Sequence, residues 1–323
     1  MTRRRRAILM GLAVALALVV ADYGFYPRLS RASGRVENRG ENALWVRYTW
    51  TFGEHDANDA AQLAQRLKTH RIRDAYFHVR SILPDGSLKY RKRLRAEALN
   101  ARMARLAPDV RRIAWIYAGN PQGLGAVDLS RPQIRRKMAA EAAWLVEKGG
   151  FDGVQWDYEI CPDRDEDLLR LLDETRQALP KGAFLGAAVP GWYPPPLSGF
   201  GWSPAYYGEV AKRCDQLAVM AYDSAATLPR VYVGWITQQT VVVTQAVASA
   251  NPKCKVILGV PTYGDGTPSH NPHAENLRLA LLGVRNGLAQ GADLGVWQGV
   301  GLFADYTTDE KEWRTLTDLW PTP

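Results

Sequence analysis

Short apolar runs alternate with longer amphipathic runs along most of this chain of 323 residues. The apolar runs predict strands at 44–51, 74–80, 112–118, 151–158, 183–189, 215–222, 255–260 and 293–298. The amphipathic runs predict helices at 57–69, 95–106, 131–149, 164–178, 204–213, 236–250, 273–289 and 308–319. This alternation is typical of parallel βα units, and their number fits an α/β fold with a single closed (β/α)8 TIM barrel. A doubly wound open sheet is the alternative, but no glycine-rich phosphate loop follows the first strand.

The fourth predicted strand carries polar residues where a buried strand should be apolar. With alternate side chains on opposite faces, one face carries Val154, Trp156 and Tyr158, and the other carries Gln155, Asp157 and Glu159. Burying an amide and two carboxylates is costly unless each group is paired, so the polar face indicates a site of chemistry. A surface strand with a solvated polar edge is the alternative interpretation.

Polar and aromatic residues also recur where other predicted strands end. They are Trp192 after the fifth strand, Tyr222 and Asp223 at the sixth, Tyr263 after the seventh, and Trp297 at the eighth. Because catalytic groups of a (β/α)8 barrel sit at the carboxyl ends of its strands, these residues predict one pocket for a polar ligand with flat faces. A pocket that combines acidic groups with aromatic walls suggests that this ligand is a sugar.

The two acids of the fourth strand restrict the mechanism. Asp157 and Glu159 lie two residues apart, so their Cα atoms are roughly 6–7 Å from each other. Two carboxylates this close on one strand cannot easily flank a glycosidic bond from opposite faces. The spacing therefore favours a mechanism in which the substrate itself supplies the nucleophile.

The same segment resembles a known family. Asp152–Glu159, with the sequence DGVQWDYE, is similar to the fourth-strand signature Asp-Gly-x-Asp-x-Asp-x-Glu of family 18 glycoside hydrolases, the chitinase-like barrels. Met220–Asp223 and Ile257–Gly264 resemble strands six and seven of that family, and Trp297 matches the tryptophan at the end of its strand eight. The sequence departs from the signature at Gln155, where the family usually has Asp or Asn.

The resemblance implies substrate-assisted, retaining hydrolysis of a β-linked glycan that contains N-acetylhexosamine, with no metal or cofactor. It implies that Glu159 is the general acid and then the base, that Asp157 holds the acetamido group, and that Tyr222 assists at the same group. It further implies substrate contacts by Gln155, Asp223, Trp297, Tyr263 and Trp192. A catalytically weak or inactive, lectin-like glycan-binding barrel is the alternative, because an amide at position 155 cannot share a proton with Asp157. A hydrolase acting on a sugar without an acetamido group is a third possibility.

The N-terminus is organised as an export segment. Arg3–Arg6 precede an uncharged apolar run, Ala7–Ala21, in which Val19 and Ala21 offer a small-residue cleavage pattern. The run is about five residues short of a comfortable membrane span, so residues 1–21 are a cleaved signal peptide in the first interpretation and a retained signal anchor in the second. Both place the domain outside the cytoplasm. Residues 22–42 are expected to form a basic linker, and residues 43–323 one glycoside hydrolase-like domain.

Charge and cysteine content narrow the remaining possibilities. The formal net charge falls from +8 to +4 when residues 1–21 are set aside, which does not favour a nucleic-acid partner. We expect a monomer whose partner is a glycan, with possible membrane attachment through residues 7–21. Cys214 and Cys254 each precede an apolar strand, and we predict that they form a disulfide, with two free buried thiols as the alternative.

Overall fold

Eight parallel strands close into a barrel in chain order in the computed structural model, which describes residues 3–34, 36–119, 127–158 and 161–322. The strands are β1 Asn42–Val46, β2 Ile72–Ser81, β3 Arg111–Tyr117, β4 Gly153–Asp157, β5 Phe184–Val189, β6 Gln216–Met220, β7 Lys255–Pro261 and β8 Trp297–Phe303. β8 pairs with β1 and closes the barrel. The predicted (β/α)8 fold is confirmed.

One helix, α1 Arg3–Leu29, precedes the barrel. The other helices follow the strands on the outside of the barrel. They are α2 Tyr48–Thr51, α3 Ala57–Thr69, α4 Ala96–Leu106, α5 Pro132–Glu147, α6 Glu166–Ala178, α7 Pro204–Ala211, α8 Pro229–Ala250, α9 Leu277–Ala289 and α10 Glu310–Leu319. Single 3-10 turns lie at Arg91–Arg93 and Ser198–Phe200. Asp56 caps α3 by accepting hydrogen bonds from two backbone amides of its first turn, and α3 has the bounds predicted from the sequence.

The barrel separates two apolar regions, and the side chains of β4 point alternately toward one and the other. Val154 and Trp156 lie in the core between the sheet and the helices, where Trp156 Nε1 donates to Thr175 Oγ1 on α6 at 3.0 Å. Gln155 and Asp157 take the alternate positions and face the barrel interior, where they bond to interior indoles. The alternation predicted for this strand is confirmed over its described residues.

The eighth strand corrects one prediction. It begins at Trp297 rather than ending there, so Trp297 lies at the amino end of the barrel, away from the expected pocket. Its ring is buried against Trp320, and its Nε1 donates to the Glu37 carbonyl at 3.2 Å. The prediction of a strand at 293–298 missed the glycine-rich part after residue 298. A Cβ at Gly301 would come within 2.6 Å of the Trp45 ring, so the interior indole requires glycine there.

The predicted disulfide is also wrong. Cys214 and Cys254 are buried free thiols, as is Cys161. Burial raises the pKa of Cys214 to about 12, so its thiol is protonated and unreactive at neutral pH.

A network of polar side chains fills the amino end of the barrel. Asp74 is fully buried and accepts two hydrogen bonds from Arg111, at 2.8 and 2.9 Å. Gln216 and Gln298 each donate from Nε2 to Asp74 Oδ2 at 2.8 Å. The charged pair and the two amides satisfy one another, so this end of the barrel is closed by hydrogen bonds.

We expect Arg111→Leu to lower the free energy of unfolding by about 3–5 kcal/mol, because it leaves the Asp74 carboxylate buried without its cation. Lys137→Ala breaks the ion pair with Asp85, which is solvent-exposed on both sides, and should cost less than about 1 kcal/mol. Denaturant titration of both variants measures the difference. Equal, small losses would contradict the role given to Asp74.

Candidate active site

The polar face of β4 is buried among indole N–H donors. Asp157 is 2% exposed, and its Oδ2 accepts a hydrogen bond from Trp115 Nε1 at 2.6 Å. Gln155 is fully buried, and its Oε1 accepts from Trp45 Nε1 at 3.1 Å. Gln155 Nε2 has no hydrogen-bond partner within the described part of the chain. The barrel therefore presents one oriented carboxylate and one spare amide donor on the same face of β4.

Phe303 lies at the carboxyl end of β8 and is surrounded by other rings. Tyr222 stacks on it with a centroid distance of 4.9 Å and an interplanar angle of 25°. Trp45 and Trp115, the two indoles that donate to β4, pack edge-on against the Phe303 ring, with centroid distances of 5.9 and 6.0 Å. The Tyr263 ring lies at a centroid distance of 6.3 Å from the Phe303 ring. These rings form an aromatic floor beside Asp157, and Phe303 holds the place that the sequence interpretation gave to Trp297.

Tyr222 and Asp223 lie directly after β6, as predicted. Asp223 has a left-handed backbone, with φ of 53°, and Tyr263 donates a hydrogen bond to its Oδ1 at 2.8 Å. Burial and the nearby Asp223 carboxylate raise the pKa of Tyr263, so its hydroxyl stays protonated and remains a donor. The structure thus brings three predicted residues, Tyr222, Asp223 and Tyr263, to one side of the barrel mouth.

Glu275 fixes the loop that carries Tyr222 and Asp223. This carboxylate is fully buried, although a solvated acid in the first turn of a helix is the simplest interpretation of its position in the sequence. It accepts hydrogen bonds from Ser224 Oγ at 2.6 Å and Ser224 N at 3.1 Å, and His270 Nδ1 lies 3.4 Å from its Oε2. Burial raises the pKa of Glu275, and the bonds from Ser224 oppose that rise. Sequence reasoning missed this role because the partners are 51 positions apart.

His78, on β2, is a second residue that the sequence interpretation missed. Its ring stacks on Trp115 at a centroid distance of 3.9 Å, next to the indole that holds Asp157. Burial, with Arg80 nearby, lowers the pKa of His78 to about 3, so the imidazole is neutral. Its Nε2 makes no hydrogen bond to the described residues.

Two other predicted residues, Trp192 and Trp297, lie outside this group. Trp192 follows β5 and packs against the core between sheet and helices, held by Gln239, which accepts from its backbone N–H at 2.6 Å. Trp192 is therefore a residue of the rim. Trp297 lies at the opposite end of the barrel. Glu159 is outside the described residues, and its part in the site stays a prediction.

The low pKa of His78 predicts a pH-dependent contribution to stability. Below pH 6.5 the unfolded chain binds a proton that native His78 does not take until about pH 3, so the free energy of unfolding falls as the pH drops. The loss should reach up to about 2 kcal/mol at pH 5 and be absent above pH 7. Denaturant titrations should show that the parent loses stability relative to His78→Gln when the pH falls from 7 to 5. A stability difference between the two proteins that does not change with pH would contradict the low pKa of native His78.

Comparisons with known proteins agree with this geometry. The model of the glycosyl hydrolases family 18 matches residues 85–317. No curated protein sequence matches the chain significantly.

Among solved structures, a chitinase from Chromobacterium violaceum is 13% identical, with a TM-score of 0.58, over 87% of this chain and 99% of that one. The spore cortex-lytic enzyme SleL of Bacillus cereus is 14% identical, with a TM-score of 0.57, over 87% of this chain and 74% of that one. A chitinase from Cycas revoluta in complex with (GlcNAc)3 is 16% identical, with a TM-score of 0.57, over 87% of this chain and 99% of that one. These likenesses show a shared fold. With the family match over most of the chain, they lead to one conclusion: the protein belongs to glycosyl hydrolase family 18 and is a glycoside hydrolase.

Proposed function

We propose that this hydrolase cleaves a β-linked glycan containing N-acetylhexosamine with retention of anomeric configuration, using the acetamido oxygen of the substrate as the nucleophile. The observation that carries the proposal is the placement of Asp157. Its carboxylate is held inside the barrel by an indole N–H, on the strand that runs into Glu159 in the sequence. The chitinases and the (GlcNAc)3 complex of similar fold support the choice of sugar.

Asp157 positions the nucleophile. Trp115 Nε1 donates a hydrogen bond to Asp157 Oδ2 at 2.6 Å and fixes the rotation of the carboxylate. The carboxylate then accepts the N–H of the acetamido group and turns the acetamido oxygen toward the anomeric carbon. An internal nucleophile held in this way has an effective concentration on the order of 10⁵ M or more, which no dissolved nucleophile reaches.

Glu159 moves the proton. As the acetamido oxygen bonds to the anomeric carbon, the glycosidic bond breaks and Glu159 protonates the departing oxygen, leaving a cyclic oxazolinium ion. Glu159 then takes a proton from water, which adds to the anomeric carbon and reopens the ring. Two inversions at one carbon give net retention.

The aromatic floor supports the sugar during these steps. Tyr222, stacked on Phe303, holds its hydroxyl near the acetamido group, and Asp223 bonds the same sugar. Glu275 keeps the loop after β6 in place through Ser224 and so acts on the reaction as a positioning residue. Flat rings of this kind pack against the apolar faces of a pyranose.

Gln155 favours a second candidate, a weakly active or inactive glycan-binding barrel. Its oxygen already accepts from Trp45, and an amide can neither take nor release a proton. The ionisation of Asp157 is therefore not tuned by a neighbouring acid at position 155. The expected consequence for an active enzyme is a narrower pH range.

The two candidates differ in the effect of Glu159→Gln on turnover. We expect this variant to lose about 10²–10⁴-fold in kcat on soluble β-linked N-acetylglucosamine oligomers and on isolated peptidoglycan, because the general acid is gone. Asp157→Asn should lose about 10²–10³-fold. Oligomer binding, followed by calorimetry, should be unchanged in Glu159→Gln. Product release is measured by chromatography with the full chain in detergent.

Glu97→Gln is the matched control, since it makes the same change at an exposed position on α4 and should keep parental activity. A parent that binds oligomers without cleaving either substrate would support the glycan-binding candidate. A Glu159→Gln variant as active as the parent would contradict the proposed acid.

A further inference from the structure

The N-terminal helix projects away from the barrel. Every residue from Arg3 to Ala21 is exposed, and the apolar side chains of this stretch cover nothing in the described chain. The exposed part of α1, Arg3–Ala21, is about 28 Å of helix, which is close to the thickness of a hydrocarbon core of about 30 Å. An exposed apolar helix of this length fits a lipid environment.

The end of α1 docks on the rim formed by the carboxyl ends of the strands. Asp22 pairs with Arg230, in the first turn of α8, with Nε 3.0 Å from Oδ1. Tyr23 stacks on His273, in the loop after β7, at a centroid distance of 4.1 Å. Arg230 also lies over the ring of Tyr26 at 4.3 Å. These contacts join α1 to the same end of the barrel as the candidate active site.

The segment after α1 holds this arrangement in place. It descends along α9, where Arg278 donates to the Ser30 carbonyl at 3.0 Å and the Ser33 backbone N–H donates to Asn286 at 2.9 Å. It reaches the amino end of the barrel at Asn38, whose side chain donates to the Trp320 carbonyl. The contacts of Ser30, Ser33 and Asn38 hold the segment against the barrel and orient the barrel relative to α1.

The rim also carries apolar side chains that the fold leaves uncovered. Phe200 is 76% exposed and Leu197 is 48% exposed, both in the loop after β5, and Val231 in the first turn of α8 is 56% exposed. The loop is fastened to α8 by Trp235 Nε1, which donates to the Trp192 carbonyl at 2.8 Å. The rim beyond β2 carries exposed basic residues, Lys89, Arg91, Lys92, Arg93 and Arg95. Exposed apolar side chains and a basic patch elsewhere on the same rim suit the interface of an anionic bilayer.

We propose that α1 is retained as a membrane anchor and that the carboxyl-end rim of the barrel lies against the bilayer that α1 spans, with Leu197, Phe200 and Val231 entering its interface. Asp22 follows the apolar run directly, so its partner Arg230 lies within about one helical turn, 5.4 Å, of the hydrocarbon boundary. Tyr23, Phe25 and Tyr26 occupy the level where aromatic residues mark that boundary.

The barrel mouth then opens beside the lipid surface. A glycan that reaches it would be one held close to that surface, such as a glycan carried on a lipid. This consequence rests on the activity proposed above, whereas the docking itself does not.

Depth measurement on the full chain tests the docking without any activity assay. Phe200→Cys carries a fluorophore, and the native thiols, all buried, stay unlabelled in the folded protein. The protein is reconstituted into vesicles of phosphatidylethanolamine and phosphatidylglycerol whose acyl chains carry bromine. The label at position 200 should lose most of its fluorescence. A label at Lys253→Cys, an exposed site before β7 at the opposite end, should lose none.

Val231→Cys gives a second reading from the same rim, in case the first variant fails to fold. The double variant Asp22→Ala, Arg230→Ala should show less quenching of the label at position 200, because the contact that orients the barrel is lost. Equal quenching at positions 200 and 253, or quenching at neither, would overturn the proposal. A protein isolated from cells whose mass shows that it begins after Ala21 would also overturn it.

Discussion

The hydrogen bond from Trp115 Nε1 to Asp157 Oδ2 makes a carboxylate possible inside this barrel. A charge in the low-dielectric interior is costly unless donors meet it, and one donor here is an indole whose remaining surface is apolar. His78 and Phe303 pack around that indole and hold its direction. The aromatic residues thus have two roles, since they line the pocket and also replace water around the acid.

The carboxylates at the two ends of the barrel differ in their hydrogen-bond partners and in their exposure. At the amino end, Asp74 is enclosed by a guanidinium and two amides, which satisfy it and leave no access for a ligand. At the carboxyl end, Glu275 is satisfied by the loop that it positions, and Asp223, which is 46% exposed, faces the mouth. The same physical requirement of pairing gives a rigid base at one end and an ordered, accessible site at the other.

The barrel and the polar face of the fourth strand could be predicted because both follow from local periodicity, and the structure confirms the barrel and, at Gln155 and Asp157, the polar face. Trp297 was wrongly placed because the glycines of β8 hide its strand character. Phe303 was missed for the same reason, although it alternates correctly with Leu302. Glu275 could not be found from the sequence, since its burial depends on contacts between distant loops. Gln155, Asp157, Tyr222, Asp223 and Tyr263 lie where the sequence placed them, and their roles in the reaction stay predictions.

The stereochemistry of the first product tests the central claim most directly. Substrate-assisted hydrolysis inverts the anomeric carbon twice, so the new reducing end is released in the β configuration. Proton NMR of a β-linked N-acetylglucosamine oligomer, recorded within the first minutes after the full chain is added, distinguishes the anomers before they equilibrate. An early excess of the β anomer is the predicted result. An early excess of the α anomer would mean that water attacks directly, and it would contradict the proposed role of the acetamido group beside Asp157.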